Sequence, residues 1–141
     1  HSVASFEQGE AIDPEELIAV ECEVWIPAAR PDVIREDNAD RMQTKVVAQG
    51  ANIPATPAAE EILAGNGVLV IPDFVANAGG VICGAVEYHG GSQSQAMETI
   101  AERIRGNVTE VLTRATADEV LPRAAALHIA RERVLTAMSF T

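Results

Sequence analysis

Three observations predict an α/β fold, a doubly wound parallel sheet followed by two long C-terminal helices. Short apolar runs bounded by Pro or Gly alternate with polar loops and helical segments up to residue 92. The run at 68–71 is apolar throughout, as a parallel strand covered on both faces would be. Beyond residue 92 the apolar residues recur at helical spacing. Such alternation implies parallel strands joined by right-handed crossovers.

The elements follow in order. Residues 2–6 read as a short strand ended by a glycine turn. Asp13-Pro14-Glu15-Glu16 is a helix start, with Asp as N-cap and Pro at the first helical position, and the helix runs over 14–19. A strand at 22–26 is stopped by Pro27, which cannot donate to a ladder. Residues 33–42 are expected to be a short helix with Asn38 and Asp40 on its outer side. A strand at 45–48 follows, and Thr56-Pro57 caps a helix over 57–63 with Glu60 and Glu61 near its positive end. Gly65, Asn66 and Gly67 turn the chain into the strand at 68–71. Gly79 and Gly80 open the next helix. Met97, Ile100, Ile104, Val108, Val111 and Leu112 define the apolar face of a long helix. Leu127, Ala130, Val134, Leu135 and Met138 define that of the last one, begun near Pro122.

Composition narrows the function classes. The chain has 141 residues, 48% of them hydrophobic and 4% aromatic, so its core is aliphatic. A net charge of −11 with ten Lys and Arg scattered along the chain argues against nucleic acid as a partner. Cys22 and Cys83 match no metal-ligand spacing, and no metal site is expected. No signal-peptide pattern is read, and no apolar run reaches the roughly 18 residues of a membrane span. The expectation is a reduced, cytoplasmic chain with no membrane partner.

Three loops, Pro27-Ala28-Ala29, Gly50-Ala51-Asn52 and Ala76-Asn77-Ala78-Gly79-Gly80, each follow a strand. In a parallel sheet they lie side by side at one edge, forming a shallow cleft of small side chains and two amides. Such a cleft suits a flat polar ring bearing a carboxamide and a ribose. Gly79 and Gly80 allow close approach where a Cβ would collide. An ordinary βα loop with a turn Asn remains the alternative from this segment alone. No residue of the three loops is a strong acid, base or nucleophile. Asp73 reads as a turn residue, His89 as a solvated or helix-capping residue, His128 as partly buried packing, Cys83 as a buried thiol and Trp25 as core or interface.

At these loops the chain resembles the glutamate, leucine, phenylalanine and valine dehydrogenase family. The resemblance is carried by VWIPAARPDVIREDNADRMQTKVVAQGANIPATPAAEEIL and GVLVIPDFVANAGGVICGAVEYHGG. The family pattern has Pro-Ala-Ala, then Glu-Gly-Ala-Asn with Pro and Thr-Pro following, then Pro-Asp and Ala-Asn-Ala-Gly-Gly-Val. Each piece is present in order, with Gln49 in place of the usual Glu. The ending, Ala124-Ala125 to Ala130-Arg131-Glu132-Arg133-Val134, is similar to the family's last helix. The resemblance implies a partial Rossmann-like sheet and a reversible, NAD- or NADP-dependent oxidative deamination of an L-amino acid to its 2-oxo acid and ammonia. It implies that Ala28 and Asn52 line the nicotinamide ribose and that Asn77 meets the nicotinamide or its ribose, with Gly79 and Gly80 permitting approach. A homo-oligomeric parent is implied as well.

Two departures matter. The family's catalytic Lys and Asp and its Gly-x-Gly-x-x-Gly turn have no counterpart here, and Lys45 is the only lysine. No catalytic residue is therefore assigned. The chain reads as the second half of a cofactor domain, about residues 1–92, plus C-terminal helices over about 93–141. The catalytic substrate domain lies outside the sequence, so inactivity and weak cofactor binding are expected of the chain by itself. Glutamate-specific members carry a substrate-facing Ser at the position of Gly84, and a glycine offers no such side chain. The alternative function is a stand-alone nucleotide-binding or interaction module without catalysis.

Overall fold

The computed structural model describes Gly9 and residues 11–140. The strand expected at 2–6 lies outside the described residues. Among the described residues the sheet has three parallel strands in the order β1-β2-β3: β1 (Val24–Trp25), β2 (Val46–Ala48) and β3 (Leu69–Ile71). The α/β fold with an open parallel sheet is as expected. Val47 pairs in register with Val70 and Val46 with Leu69.

Alternation along these strands divides the interior into two layers. Val47 and Val70 pack with Ile34, Ala59 and Leu63, the last two on α2 (Pro57–Gly65). On the opposite face Val46 and Ile71 meet Val111 and Ala115 of α5 (Gln93–Asp118) and Ala125, Ala126 and Ile129 of α6 (Pro122–Met138). Val68, Val70 and Ile71 are buried, as the apolar run at 68–71 leads one to expect, whereas Leu69 is 38% exposed.

Local signals place the helices. Asp13 Oδ1 accepts from Glu15 N at 2.8 Å to cap α1 (Pro14–Leu17), and Thr56 Oγ1 accepts from Ala59 N at 3.1 Å to cap α2. Two short helices follow β3: α3 (Asp73–Ala76) and α4 (Gly79–Tyr88). A capping box in which Ser92 and Gln95 each accept from the other's backbone N–H starts α5.

Several expectations need correction. Residues 33–42 form turns and a single 3-10 turn, Ala39–Arg41, in place of a helix. Asn38 is buried there: its Oδ1 accepts from Arg35 N at 2.7 Å and its Nδ2 donates to Val33 O at 3.1 Å, a local arrangement that competes with helical bonding. The apolar face expected of α6 is turned outward, with Leu127, Val134, Leu135 and Met138 exposed, because Ala125, Ala126 and Ile129 let the helix approach the sheet closely. His128 is exposed with them. Along α5 the expected face holds from Ile100 to Leu112, whereas Met97 is exposed. No helix among the described residues is long and apolar enough to cross a membrane.

Candidate functional site

The three loops meet at the carboxyl edge of the sheet. Ala51 N donates to Pro27 O at 2.8 Å, tying the loop after β2 to the loop after β1. A Cβ on Gly50 would sit 3.2 Å from the Ala28 Cβ, so these two loops are in contact. Asn77 Nδ2 donates to Asn52 Oδ1 at 2.8 Å and to Ala51 O at 3.3 Å, joining the third loop to the second. The bond to Ala51 O fixes which way the Asn77 amide faces, since a carbonyl oxygen there would oppose another acceptor. Asn52 Nδ2 and Asn77 Oδ1 have no hydrogen-bond partner among the described residues. The rim therefore presents one amide donor and one amide acceptor side by side, with Ala28 exposed nearby. A planar ring with a carboxamide could be held by such a pair. A hollow of about 400 Å³, lined by Leu17, Trp25, Ile26, Ala28 and Val33 among others, adjoins Ala28 and does not reach Asn52 or Asn77.

The glycines behave differently from one another. A Cβ on Gly79 would lie 3.5 Å from Ile100 Cγ2, an ordinary van der Waals contact with α5. Gly80 and Gly84 have open space where a Cβ would stand, and both are exposed. Within the chain itself, then, neither Gly79 nor Gly80 is required by a steric collision. His89 ends α4, its Nδ1 lying 2.8 Å from Ala85 O, in the capping role expected of it. The Cys83 thiol is half-buried, 3.7 Å from Glu87 Oε1, and is not the fully buried hydrophobe expected. Burial pushes its pKa up, and the nearby Glu87 carboxylate adds to the shift. Trp25 is partly buried against the core. Among the described residues no group of three or more His, Cys, Asp or Glu is arranged to hold a metal ion.

Behind the rim lies a buried polar network that the sequence reading missed. Arg123 on α6 donates to Glu60 through Nε and Nη2, to Gln49 Oε1 at 2.9 Å and to Asp73 Oδ1 at 3.0 Å. Gln49 has no exposure; its Nε2 donates to Glu60 Oε1 at 2.7 Å and its Oε1 accepts from Asp73 N at 3.0 Å. The Arg123 guanidinium lies 5.5 Å from the Phe74 ring centroid, within cation–π range. Asp73 is thus no simple turn residue. Burial alone would push its carboxyl up, but hydrogen bonds from Ile53 N and Arg123, with the Arg123 charge, hold it below the usual carboxylate range. One local signal was available: Arg123 occupies the first turn of a helix, where the dipole disfavours a cation unless carboxylates meet it.

Across residues 1–141 the chain matches the model of the Glutamate/Leucine/Phenylalanine/Valine dehydrogenase family. The chain belongs to this family. Among relatives of this dehydrogenase-family chain, the glutamate dehydrogenase of Aeropyrum pernix is 38% identical, over 97% of this chain and 35% of that protein. The NADP-specific glutamate dehydrogenase of Saccharolobus shibatae is also 38% identical, over 97% of this chain and 34% of that protein. The chain therefore spans about a third of the length of these relatives. Among solved structures, the hetero-hexameric glutamate dehydrogenase from Thermus thermophilus in its Leu-bound form aligns with a TM-score of 0.79 at 30% identity, covering 89% of this chain and 32% of that one. L-tryptophan dehydrogenase from Nostoc punctiforme aligns with a TM-score of 0.82 over 91% of this chain and 39% of that one; at 23% identity it speaks for the fold alone.

Proposed function

We propose that this chain is the second half of the cofactor domain, with C-terminal helices, of an NAD(P)-dependent amino acid dehydrogenase. The parent would interconvert an L-amino acid with its 2-oxo acid and ammonia. The observation that carries the reading is the Asn52–Asn77 amide pair, set beside Ala28 and Gly50 at the carboxyl edge of three parallel strands. Ligands of open α/β sheets bind at that edge. The bound cofactor supplies hydride acceptance and return at its nicotinamide ring. The contribution of this chain is to bind and orient. Asn52 Nδ2 and Asn77 Oδ1 would pair with the carboxamide or ribose, while Ala28 and Gly80 leave the face open. The small side chains exclude water once the ring is seated. No residue of the chain is assigned to proton transfer. Catalysis belongs to the substrate domain of the parent.

Gly84, exposed on α4 and without a side chain, suits a parent that does not recognise a substrate carboxylate at this position. Comparison of the full-length enzyme on glutamate, leucine and valine tests that point, and an exclusive glutamate preference would count against it. The parent is expected to be a homo-oligomer and to act in the cytoplasm.

The decisive experiment is an NMR titration of the 141-residue chain with NAD⁺ and with NADP⁺. The expected result is weak binding, with shifts confined to Ala28, Asn52, Asn77 and their neighbours, and no turnover. Low-micromolar affinity or measurable turnover would contradict the weak-binding half of the reading. Shifts centred elsewhere would contradict the site.

A further inference from the structure

Ile53 sits in the left-handed backbone region, at φ +48°, one residue beyond Asn52. For a β-branched residue this is an unfavourable conformation that persists only where the surroundings enforce it. Packing of its own side chain is not the enforcing agent, because Ile53 is 59% exposed. Hydrogen bonds are. Its N–H donates to Asp73 Oδ2 at 2.9 Å, and its carbonyl accepts from Asp32 N at 3.0 Å.

Asp73 is fixed in turn. Its Oδ1 accepts from Arg123 Nη2, its N–H donates to Gln49 Oε1, and its own carbonyl accepts from Asn77 N at 2.7 Å. One residue thus grips both members of the amide pair: the carboxylate holds the neighbour of Asn52, and the carbonyl holds Asn77. We infer that Asp73, anchored by Arg123, is the positioning residue of the rim, holding Ile53 left-handed so that the Asn52 side chain faces Asn77. The value of this for cofactor binding rests on the function proposed above; the positioning itself does not. The last helix of the chain, through Arg123, is thereby part of the apparatus that shapes the edge of the sheet.

The test is NMR of the ¹⁵N-labelled 141-residue chain. In the unaltered chain the Ile53 amide is protected from solvent exchange, and the Asn77 side-chain amide resonances are displaced from free-asparagine values. Asp73→Ala and Arg123→Met should each speed Ile53 exchange by about tenfold or more and return the Asn77 resonances toward free values. Core amides such as those of Val47 and Ala59 should stay protected. Arg123→Lys, which keeps the charge and loses the fork, should be intermediate. Adding Ile53→Gly to Asp73→Ala should restore the Asn77 resonances, since glycine holds a positive φ without help. Should Asp73→Ala prove unfolded, Ile53→Gly alone decides: its Tm should rise with the Asn77 resonances in place, and a fall would overturn the proposal. Unchanged Ile53 exchange in a folded Asp73→Ala chain, or no rescue by glycine, would overturn it too. An NAD⁺ titration is the final arm, with binding expected to weaken about tenfold in Asp73→Ala. If the unaltered chain shows no response to NAD⁺, the cofactor reading fails while the exchange data still judge the positioning.

Discussion

Arg123 meets Glu60 fork to fork, Nε to Oε2 at 2.9 Å and Nη2 to Oε1 at 2.8 Å, across 63 residues of chain. Glu60 is 5% exposed, so the pair is desolvated on the carboxylate side. Glu60 Oε1 also takes the Gln49 Nε2 donor, and three N–H groups converge on two oxygens. An amide supplies only one acceptor and would turn an NH₂ toward Arg123. Glu60→Gln should therefore destabilise the chain by about 2 kcal/mol, measured by urea unfolding. A change below about 0.5 kcal/mol would mean the network is held by its other bonds.

Acid should dismantle the same network through Asp73. Its folded pKa is lowered: burial opposes the shift, and the bonds from Ile53 and Arg123 overcome it. A lowered folded value means that the carboxylate's contribution is complete above the unfolded pKa of about 3.9 and is lost as pH falls through the folded value. Stability measured from pH 5 down to pH 2 should drop steeply, and Asp73→Asn should drop less steeply over that window. Parallel acid limbs for the two proteins would refute the assignment.

The outline of the fold was legible because its signals are local. Apolar runs ended by Pro27 and Pro72 mark strands, and Asp13 and Thr56 cap the helices they precede. The meeting of Ala28, Asn52 and Asn77 followed from parallel topology alone, since every carboxyl end of such a sheet lies on one side. The Gln49–Glu60–Asp73–Arg123 network was not legible. Its members are scattered from residue 49 to residue 123, and Glu60 early in α2 reads as an ordinary complement to the helix dipole. Asn38 misled for a different reason: its side chain satisfies backbone groups of its own turn, so apolar spacing over 33–42 never became helical. In α6 the larger side chains dominated the periodicity, while small alanines made the contact.

Glycines at two positions should respond in opposite directions to the same substitution. A Cβ on Gly91 would collide with Val86 Cγ1 and lie 3.0 Å from the Val86 carbonyl oxygen, in the turn between α4 and α5. Val86 is β-branched and the carbonyl is backbone, so neither yields easily. Gly91→Ala should destabilise by about 2 kcal/mol. Gly106 stands inside α5 with nothing within 4 Å of its missing Cβ. Gly106→Ala should stabilise by about 0.8 kcal/mol, through helix propensity. Thermal unfolding of the two variants side by side checks both signs at once.

The open edge of β1 makes the last prediction. Among the described residues β1 pairs only with β2, and Val24 and Ile26 are 52% and 63% exposed. Leu17, which lines one hollow with Val24 and Ile26, is exposed as well. An unpaired apolar edge recruits another strand. A net charge of −11 opposes association of two copies, and that repulsion is screened once the Debye length falls to about 8 Å at physiological salt. The 141-residue chain should therefore self-associate in sedimentation, more strongly at about 0.5 M salt, where the screening length is roughly halved, than at low salt. Val24→Lys places a charge on the edge and should shift the population toward monomer without altering the fold. A clean monomer at every salt concentration would show that the edge is protected in solution, and the prediction would fall.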